Sequence, residues 1–309
     1  MIIFDAHCDT IQKINDFGGE LYENNFHIDL KRIKSLTAGY VQTFAAFIDK
    51  RHDMLPPFLR CNQLIDCYYE CIKKECSLVA HCNNFSEIQE SLAQNRVAAL
   101  LSIEGGEALE GDLQKLYFFY NRGVRIMTLT WNYSNEICDG IQEESGRGLT
   151  DFGKRVVNAM NQAGMLIDVS HISLNGFWDV IEITDRPIVA THSNTKAICP
   201  HKRNLGDSQI KAIINNGGCI GVNLYAEFLS NGKCSVKSVI KHIEHILSLG
   251  GENNVGLGCD FDGVDKLPQG MNGVSDIYKI FNEMIKIGYS DSLINKISSG
   301  NFLNIIKKL

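Results

Sequence analysis

Short β-rich runs alternate with amphipathic helical patterns along the whole chain, and this alternation is the feature that most restricts its fold. The runs are hydrophobic and of strand length, whereas the segments between them carry apolar residues at helical spacing. Strands separated by helices form parallel sheets, because a parallel connection has to cross back over the sheet. The predicted strands cover residues 2–6, 40–47, 97–103, 124–129, 165–169, 187–191, 219–223 and 254–258.

Eight such alternations without a change in composition predict an α/β protein with a single (β/α)8 TIM barrel over residues 1–309. A doubly wound open sheet is the alternative. The chain has only five prolines and no Gly/Ser-rich stretch, so no domain linker is evident. The predicted helices cover residues 54–76, a short segment opened by a capping box at Ser86, Thr150 to Gly164, Ser208 to Gly217, and a stretch from Ser235.

Composition and charge exclude several classes of function. The net charge of −6 and the lack of a basic stripe argue against a nucleic-acid partner. No apolar run approaches the ~20 residues that span a bilayer, which argues against membrane insertion. The residues before Phe4 show no secretory pattern, which predicts a cytoplasmic protein. Its eleven cysteines, with no C-x-x-C pair among them, are then expected to be packed, reduced thiols, Cys8 included.

Metal-ligand residue types follow five of the predicted strands. TIM-barrel enzymes place their active sites at the carboxyl ends of the strands, so these side chains are expected to converge. They are His7 with Asp9, then Glu104, His171, His192 and Asp260. Histidines and carboxylates suit zinc or a similar divalent ion, and one carboxylate can bridge two ions ~3.5–4 Å apart. Glu104, which two glycines follow, is the candidate bridge.

Three further residues have roles that their chemistry suggests. Asp260 is placed to act as a general acid and base, whereas Asp262 in the same D-F-D-G segment fits a turn residue better. Arg203 could clamp a substrate carboxylate through two parallel hydrogen bonds.

The remaining histidines are not expected to bind metal. His242 and His245, three residues apart on the helix from Ser235, are expected to be exposed. His27, His52 and His81 are expected in polar loops or helix flanks, and His201 lies beside the Arg203 loop.

Taken in order, the motifs cover nearly the whole chain and resemble those of the membrane (renal) dipeptidase family. They are D-A-H-C-D-T, S-I-E-G-G-E, L-I-D-V-S-H, T-H-S-N with R-N-L downstream, and G-L-G-C-D-F-D-G-V. The family consists of binuclear zinc hydrolases of the amidohydrolase-like metal-dependent barrel superfamily. The chain is similar to its bacterial-type, unanchored members.

The resemblance implies two Zn²⁺ ions per chain. His7 and Asp9 would bind one ion, His171 and His192 the other, and Glu104 would bridge them. The resemblance further implies that a metal-bridging hydroxide attacks the peptide carbonyl of a small dipeptide, including dipeptides that end in a D-residue. Asp260 would then move the proton, and Arg203 would bind the substrate carboxylate. Family members are commonly dimers, so a homodimer is implied.

One position departs from the family pattern. After Leu129-Thr130 the animal enzymes carry a histidine thought to stabilise the tetrahedral intermediate, and this chain has Trp131 there. Asn132 or Asn135 could donate a hydrogen bond instead, and Asn132 and Tyr225 are predicted to bind substrate. Residues 135–148 form either a mobile loop over the site or an ordinary surface loop.

Two other functions remain open from the sequence. One is a different hydrolase on the same scaffold, such as a lactonase, a deacylase or a β-lactam-opening enzyme. The other is a metal-stabilised binding protein without catalytic activity.

Overall fold

The computed structural model describes residues 1–49 and 54–309, and His52 lies outside the described residues. Within these residues, nine strands form one sheet. They are β1 (Ile2–Cys8), β2 (Gly39–Phe47), β3 (Val79–His81), β4 (Val97–Glu104), β5 (Val124–Thr128), β6 (Leu166–Asp168), β7 (Val189–Ala190), β8 (Cys219–Val222) and β9 (Val255–Leu257).

The sheet closes on itself. All pairings between the strands are parallel, and the neighbours run β2-β1-β9-β8-β7-β6-β5-β4, with β2 pairing to β4 to complete the ring. The short β3 pairs only with the first residues of β4, beside the barrel proper. Eight strands therefore form a parallel barrel, which confirms the TIM-barrel prediction and rules out the open sheet.

Helices surround the barrel and connect its strands. Within the described residues the α-helices are Thr10–Phe17, Leu30–Leu36, Pro57–Lys74, Phe85–Ala93, Leu113–Asn121, Asp151–Ala163, Leu174–Ile183, Asp207–Asn215, Ala226–Leu229, Val236–Ser248, Tyr278–Lys286, Asp291–Asn295 and Asn301–Ile306. None of the helices described is long and apolar enough to cross a membrane.

Helix ends follow local capping chemistry. Thr150 and Gly164 bound the helix Asp151–Ala163 as predicted, with the Thr150 hydroxyl accepting a hydrogen bond from the backbone of Gly153. The box predicted at Ser86 is wrong by two residues. The Asn84 side chain is the N-cap, because its oxygen accepts from the backbone N–H of Glu87.

Apolar residues at alternate strand positions form two cores. The larger core joins the outer faces of the strands to the helices, as alternation along a strand requires. The smaller fills the barrel interior and includes Phe4, Leu100 and Leu166, with Phe302 of the last helix stacked on Phe4 at a 5.2 Å centroid distance. Seven of the eleven cysteines are buried, Cys8 included, whereas Cys67, Cys71 and Cys234 are half-buried and Cys76 is exposed, so the prediction that all of them are packed is wrong for Cys76. The apolar core closes one end of the barrel and leaves polar side chains at the carboxyl ends of the strands.

Candidate metal centre and active site

A bulge in β1 aims His7 into the barrel. The pairing of β1 with β2 advances three residues, from Asp5 to Cys8, while β2 advances only two, from Gln42 to Phe44. Such an extra residue changes which face the following side chains occupy. Cys8 therefore packs in the outer core, as predicted, while His7 lies among the carboxylates of the site.

The five predicted ligands converge at the carboxyl end of the barrel. The Nε2 atom of His7 lies 3.1 Å from Glu104 Oε2 and 3.5 Å from Asp9 Oδ2. On the other side of the same carboxylate, Glu104 Oε1 lies 3.1 Å from His171 Nε2 and 3.5 Å from His192 Nε2. Glu104 thus stands between two groups of nitrogen and oxygen atoms, which is the position of a bridging ligand.

The imidazoles of His171 and His192 face each other through Nε2 atoms only 2.9 Å apart. At His171 the Nδ1 atom lies 2.8 Å from Asn132 Oδ1, so Nδ1 carries the proton. At His192 the Nδ1 atom lies 2.8 Å from the Thr191 hydroxyl. That hydroxyl donates its own proton to Asp168 at 2.5 Å, so it can only accept from His192. Both Nε2 atoms are then left with lone pairs pointing at one space, an arrangement that a cation stabilises.

Asp168 holds the Thr191 hydroxyl that contacts His192. It is fully buried and accepts hydrogen bonds from the hydroxyls of Thr128 and Thr191 and from the backbone N–H of Ser170 and Thr191. No role for Asp168 was predicted from the sequence. The feature that could have revealed its role is an acidic side chain inside the apolar strand 165–169. A carboxylate is buried at such a position only when it has hydrogen-bond partners.

On the opposite side of Glu104 from His171 and His192, two polar atoms of the described residues lack hydrogen-bond partners. His7 Nε2 and Asp9 Oδ1 are buried and have no hydrogen-bond partner in the described chain. Gly263 keeps open the space beside them, because a Cβ atom there would lie 2.2 Å from Asp9 Oδ2 and 2.4 Å from Asp260 Oδ1. Ligand atoms of His7, Glu104 and His192, and of His7, Asp9 and Asp260, lie close enough to share an ion. The donor set therefore fits divalent cations.

Burial and mutual charge set the protonation of the cluster. Burial disfavours the charged form of His7, but the carboxylates of Glu104 and Asp9 outweigh it and raise the pKa of His7 well above its usual value. Burial lowers the pKa of His171 to about 4 and that of His192 well below its usual range. Two neutral imidazoles beside carboxylates are in the state that metal binding requires.

Backbone strain is concentrated at this end of the barrel. His171 and Asp260 have φ values of 67° and 59°, in the left-handed region that side chains other than glycine seldom adopt. Strain of this kind persists where the surrounding structure enforces it, and it is found most often at functional sites.

Asp260 lies at the edge of the cluster, with its Oδ1 atom 3.9 Å from His7 Nε2. Its other oxygen accepts a hydrogen bond of 2.7 Å from Asn223, a fully buried residue directly after β8. Burial, together with the negative charges of Asp9 and Glu104, raises the pKa of Asp260 to about 7. Asn223 was missed by the sequence analysis. By contrast, Asp262 binds Thr10 and the backbone of His27, which fits its predicted turn role.

A cavity of about 400 Å³ opens onto these residues. Glu104, His171 and Asp260 form part of its wall. Its other walls include the aromatic side chains of Phe47, Trp131, Tyr225 and Phe228. The predicted substrate-binding residues Asn132 and Tyr225 both line it.

Arg203 is buried beside the cavity rather than in its wall. Its guanidinium donates to Ser193 Oγ and to the carbonyl of His192, both at 3.0 Å. It lines a smaller neighbouring pocket that also includes His171.

The loop after β5 is anchored by a buried carboxylate. Ser134, Ser145 and Arg147 donate hydrogen bonds to Asp139, which lower its pKa to about 2 against the effect of burial. The backbone of Ile141 also donates to the carbonyl of His171 at 2.7 Å. Residues 135–148 are therefore tied to the site by specific contacts.

Three expectations about the other histidines are wrong. His245 is half-buried rather than exposed, with its Nε2 atom 2.8 Å from Asp207 Oδ1. His242 is fully buried, its Nδ1 accepts from the backbone of Thr195, and Nε2 donates to the carbonyl of Leu229. Burial lowers the pKa of His242 to about 4, so it is a neutral core residue. His81 lies in β3 and contacts Tyr68 through Nδ1 at 2.8 Å.

We expect Asn132→Ala to weaken metal binding by about 10–100-fold, the usual effect of removing an outer partner of a ligating histidine. The reason is that His171 would lose the acceptor that holds the proton on Nδ1. Competition with a chromophoric chelator measures this affinity. Asn132→Asp, which keeps an acceptor oxygen, should restore most of it, and equal losses in both variants would contradict the positioning role.

Comparison with known proteins identifies the family of the chain. A family model described as membrane dipeptidase (peptidase family M19) matches residues 1–309. A relative from Klebsiella pneumoniae, an uncharacterized protein in the pqqA 5′ region, is 32% identical over 250 residues, which are 75% of this chain and 92% of the relative.

Solved structures match over almost the full length. A metallopeptidase from Rhodobacter sphaeroides, liganded with a phosphinate mimic of the dipeptide L-Ala-D-Ala, is 25% identical with a TM-score of 0.90 and covers 99% of each chain. A metallopeptidase of family M19, dipeptidase AC, is 26% identical with a TM-score of 0.91 and covers 99% of this chain and 98% of its own.

Proposed function

The chain belongs to the membrane dipeptidase family, peptidase family M19, and we propose that it hydrolyses the peptide bond of small dipeptides with two zinc ions. The observation that carries the proposal is the pair of Nε2 lone pairs of His171 and His192, 2.9 Å apart beside Glu104. Burying two such nitrogens against each other without a cation is unfavourable. Homodimer formation and a cytoplasmic location stay predictions.

Each zinc ion has a proposed set of ligands. His7 and Asp9 would hold one ion, His171 and His192 the other, with Glu104 shared between them. The separation of the two groups by the Glu104 carboxylate supports this division. Nitrogen and carboxylate ligands of this kind are typical of catalytic zinc.

The chemistry divides between the ions and the protein. When bound, the ions would supply Lewis acidity and lower the pKa of a water molecule, which provides the hydroxide nucleophile. Asp260 would accept a proton from that nucleophile and deliver it to the leaving amine. Asn223 holds the Asp260 carboxylate in place for both transfers.

The cavity suits a small substrate. Its volume of about 400 Å³ falls within the usual range of small-molecule sites, and four aromatic residues contribute to its walls. Dipeptides that end in a D-residue are proposed among the substrates. The structural relative liganded with a mimic of L-Ala-D-Ala supports their inclusion.

Arg203→Ala is expected to raise KM for dipeptides with a free carboxylate by about 10–100-fold, since a hydrogen bond to a charged group contributes roughly 1.5–3 kcal/mol. We propose that the guanidinium, already fixed by Ser193 and the His192 carbonyl, meets the substrate's terminal carboxylate. KM is measured for a dipeptide and for its C-terminal amide. A parallel rise for both substrates would contradict carboxylate recognition.

The function itself is tested with a panel of L-L and L-D dipeptides, assayed before and after removal of metal by a chelator. We expect cleavage that is lost on chelation and regained with Zn²⁺. Cleavage that survives complete metal removal would contradict the mechanism. Failure to cleave any dipeptide with zinc bound, together with turnover of a lactone or β-lactam, would favour another hydrolase on the same scaffold.

A further inference from the structure

A second site lies in a groove between the helices Pro57–Lys74 and Thr10–Phe17. The groove has a volume of about 700 Å³ and shares no lining residue with the cavity at the metal centre. Two cysteines, Cys67 and Cys71, line it side by side on the longer helix. No role in dipeptide hydrolysis falls to either of them.

The two thiols are neighbours on one helical face. Residues four apart on a helix have Cβ atoms roughly 5–6 Å apart. The proximity of the two thiols lowers the pKa of Cys67 and raises that of Cys71. Both residues are half-buried, so solvent reaches them, whereas Cys8, Cys61, Cys219 and Cys259 are fully buried.

The surroundings of the pair are acidic. Among the described residues, Glu20, Asp66, Glu70 and Glu75 line the groove together with one cation, Lys74. Glu20 neutralises Lys74 at 2.5 Å, and Asp66 pairs with Arg122. Glu70 and Glu75 form no ion pair with any described residue. The charge left around the thiols is therefore negative and favours a cation.

We propose that Cys67 and Cys71 form a binding site for a soft, thiophilic cation, of the class to which Cu⁺, Zn²⁺ and Cd²⁺ belong. Soft thiolate ligands select such ions over hard ions such as Mg²⁺ and Ca²⁺. Binding replaces two S–H bonds by two sulfur–metal bonds and releases two protons to solvent, with no change of oxidation state. The acidic groove keeps the cation concentration near the thiols high.

The test uses Cd²⁺ as the probe on the zinc-loaded enzyme. Cadmium thiolates absorb in the ultraviolet by charge transfer, whereas the proposed zinc ligands at the metal centre contain no sulfur. We expect one thiolate-bound Cd²⁺ per chain. Cys67→Ser and Cys71→Ser should each weaken this binding by more than the roughly 10–100-fold that loss of an outer partner costs.

Cys76→Ser is the matched control. Cys76 is exposed, lies five residues after Cys71 beyond the end of the helix, and does not line the groove, so its substitution should leave the absorption and the affinity unchanged. Absorption that persists in the Cys67→Ser/Cys71→Ser double variant, or its absence in the wild type, would overturn the proposal.

A measurement on the unmodified chain covers the case in which a variant folds poorly. Cd²⁺ should protect Cys67 and Cys71, but not Cys76, from alkylation by iodoacetamide, as read by mass spectrometry of peptides. Equal alkylation of all three cysteines with and without Cd²⁺ would overturn the proposal. Dipeptide hydrolysis is not involved in either readout, so the outcome is independent of the proposed function.

Discussion

Asp260→Asn is expected to lower kcat by about 10²–10⁴-fold, the usual contribution of a positioned general acid and base. The substitution keeps the size of the side chain and leaves an oxygen to accept the hydrogen bond from Asn223. It removes the capacity to carry a proton between the nucleophile and the leaving amine. Steady-state kinetics on one dipeptide, with zinc content measured on the same sample, checks the effect.

Asp265→Asn provides the matched control. Asp265 lines the same cavity but is exposed and contributes no atom to the imidazole cluster, so kcat should stay near that of the wild type. If Asp260→Asn retained full kcat with full zinc content, the proton-transfer role would be wrong. It would also be wrong if the loss merely followed a loss of zinc.

Glu104→Gln should have a still broader effect, because one carboxylate lies between the two groups of proposed ligands. The amide removes the negative charge between His7 on one side and His171 and His192 on the other. Lewis-acid catalysis contributes several kcal/mol, so we expect kcat/KM to fall on the order of 10³-fold. Zinc content should fall in the same variant.

Elemental analysis and kinetics on the same preparation measure both effects. Glu110→Gln, just beyond the short turn that follows β4, is the control, since Glu110 contacts Lys115 and the backbone of Phe58 rather than the cluster. Full zinc content and activity in Glu104→Gln would contradict the bridging role.

Much of this site could be predicted from the sequence because of the barrel. Each ligand follows an apolar run of strand length, and the closed parallel sheet brings the ends of those runs together. Convergence of His7, Glu104, His171 and His192 therefore follows once the strands are identified. The observed strands β6, β7 and β9 are shorter than predicted, since the pattern of apolar residues does not fix where a strand ends.

The features that could not be predicted from the sequence depend mostly on contacts between residues far apart along the chain. The bulge that turns His7 inward arises from the pairing of β1 with β2, and simple alternation does not reveal it. The support that Asp168 and Asn223 give to His192 and Asp260 comes from side chains on neighbouring strands. The strand β3, only three residues long, has too few residues to show a pattern.

The burial of His242 could have been predicted from the sequence. Val239, Ile243 and Ile246 form the apolar stripe of its helix, and position 242 lies beside that stripe, one turn after Val239 and four residues before Ile246. The prediction that His242 is exposed rested on the polarity of its side chain. Hydrogen bonds from Thr195 and to Leu229 satisfy both ring nitrogens and make burial possible.

Anomalous X-ray diffraction at the zinc absorption edge, from crystals grown with Zn²⁺, tests the central claim most directly. We expect two peaks about 3.5–4 Å apart. One should lie within about 2.0–2.2 Å of ligand atoms of His7, Asp9 and Glu104, and the other at that distance from Glu104, His171 and His192. An absence of peaks within reach of these imidazoles in a zinc-loaded, active crystal would contradict the account.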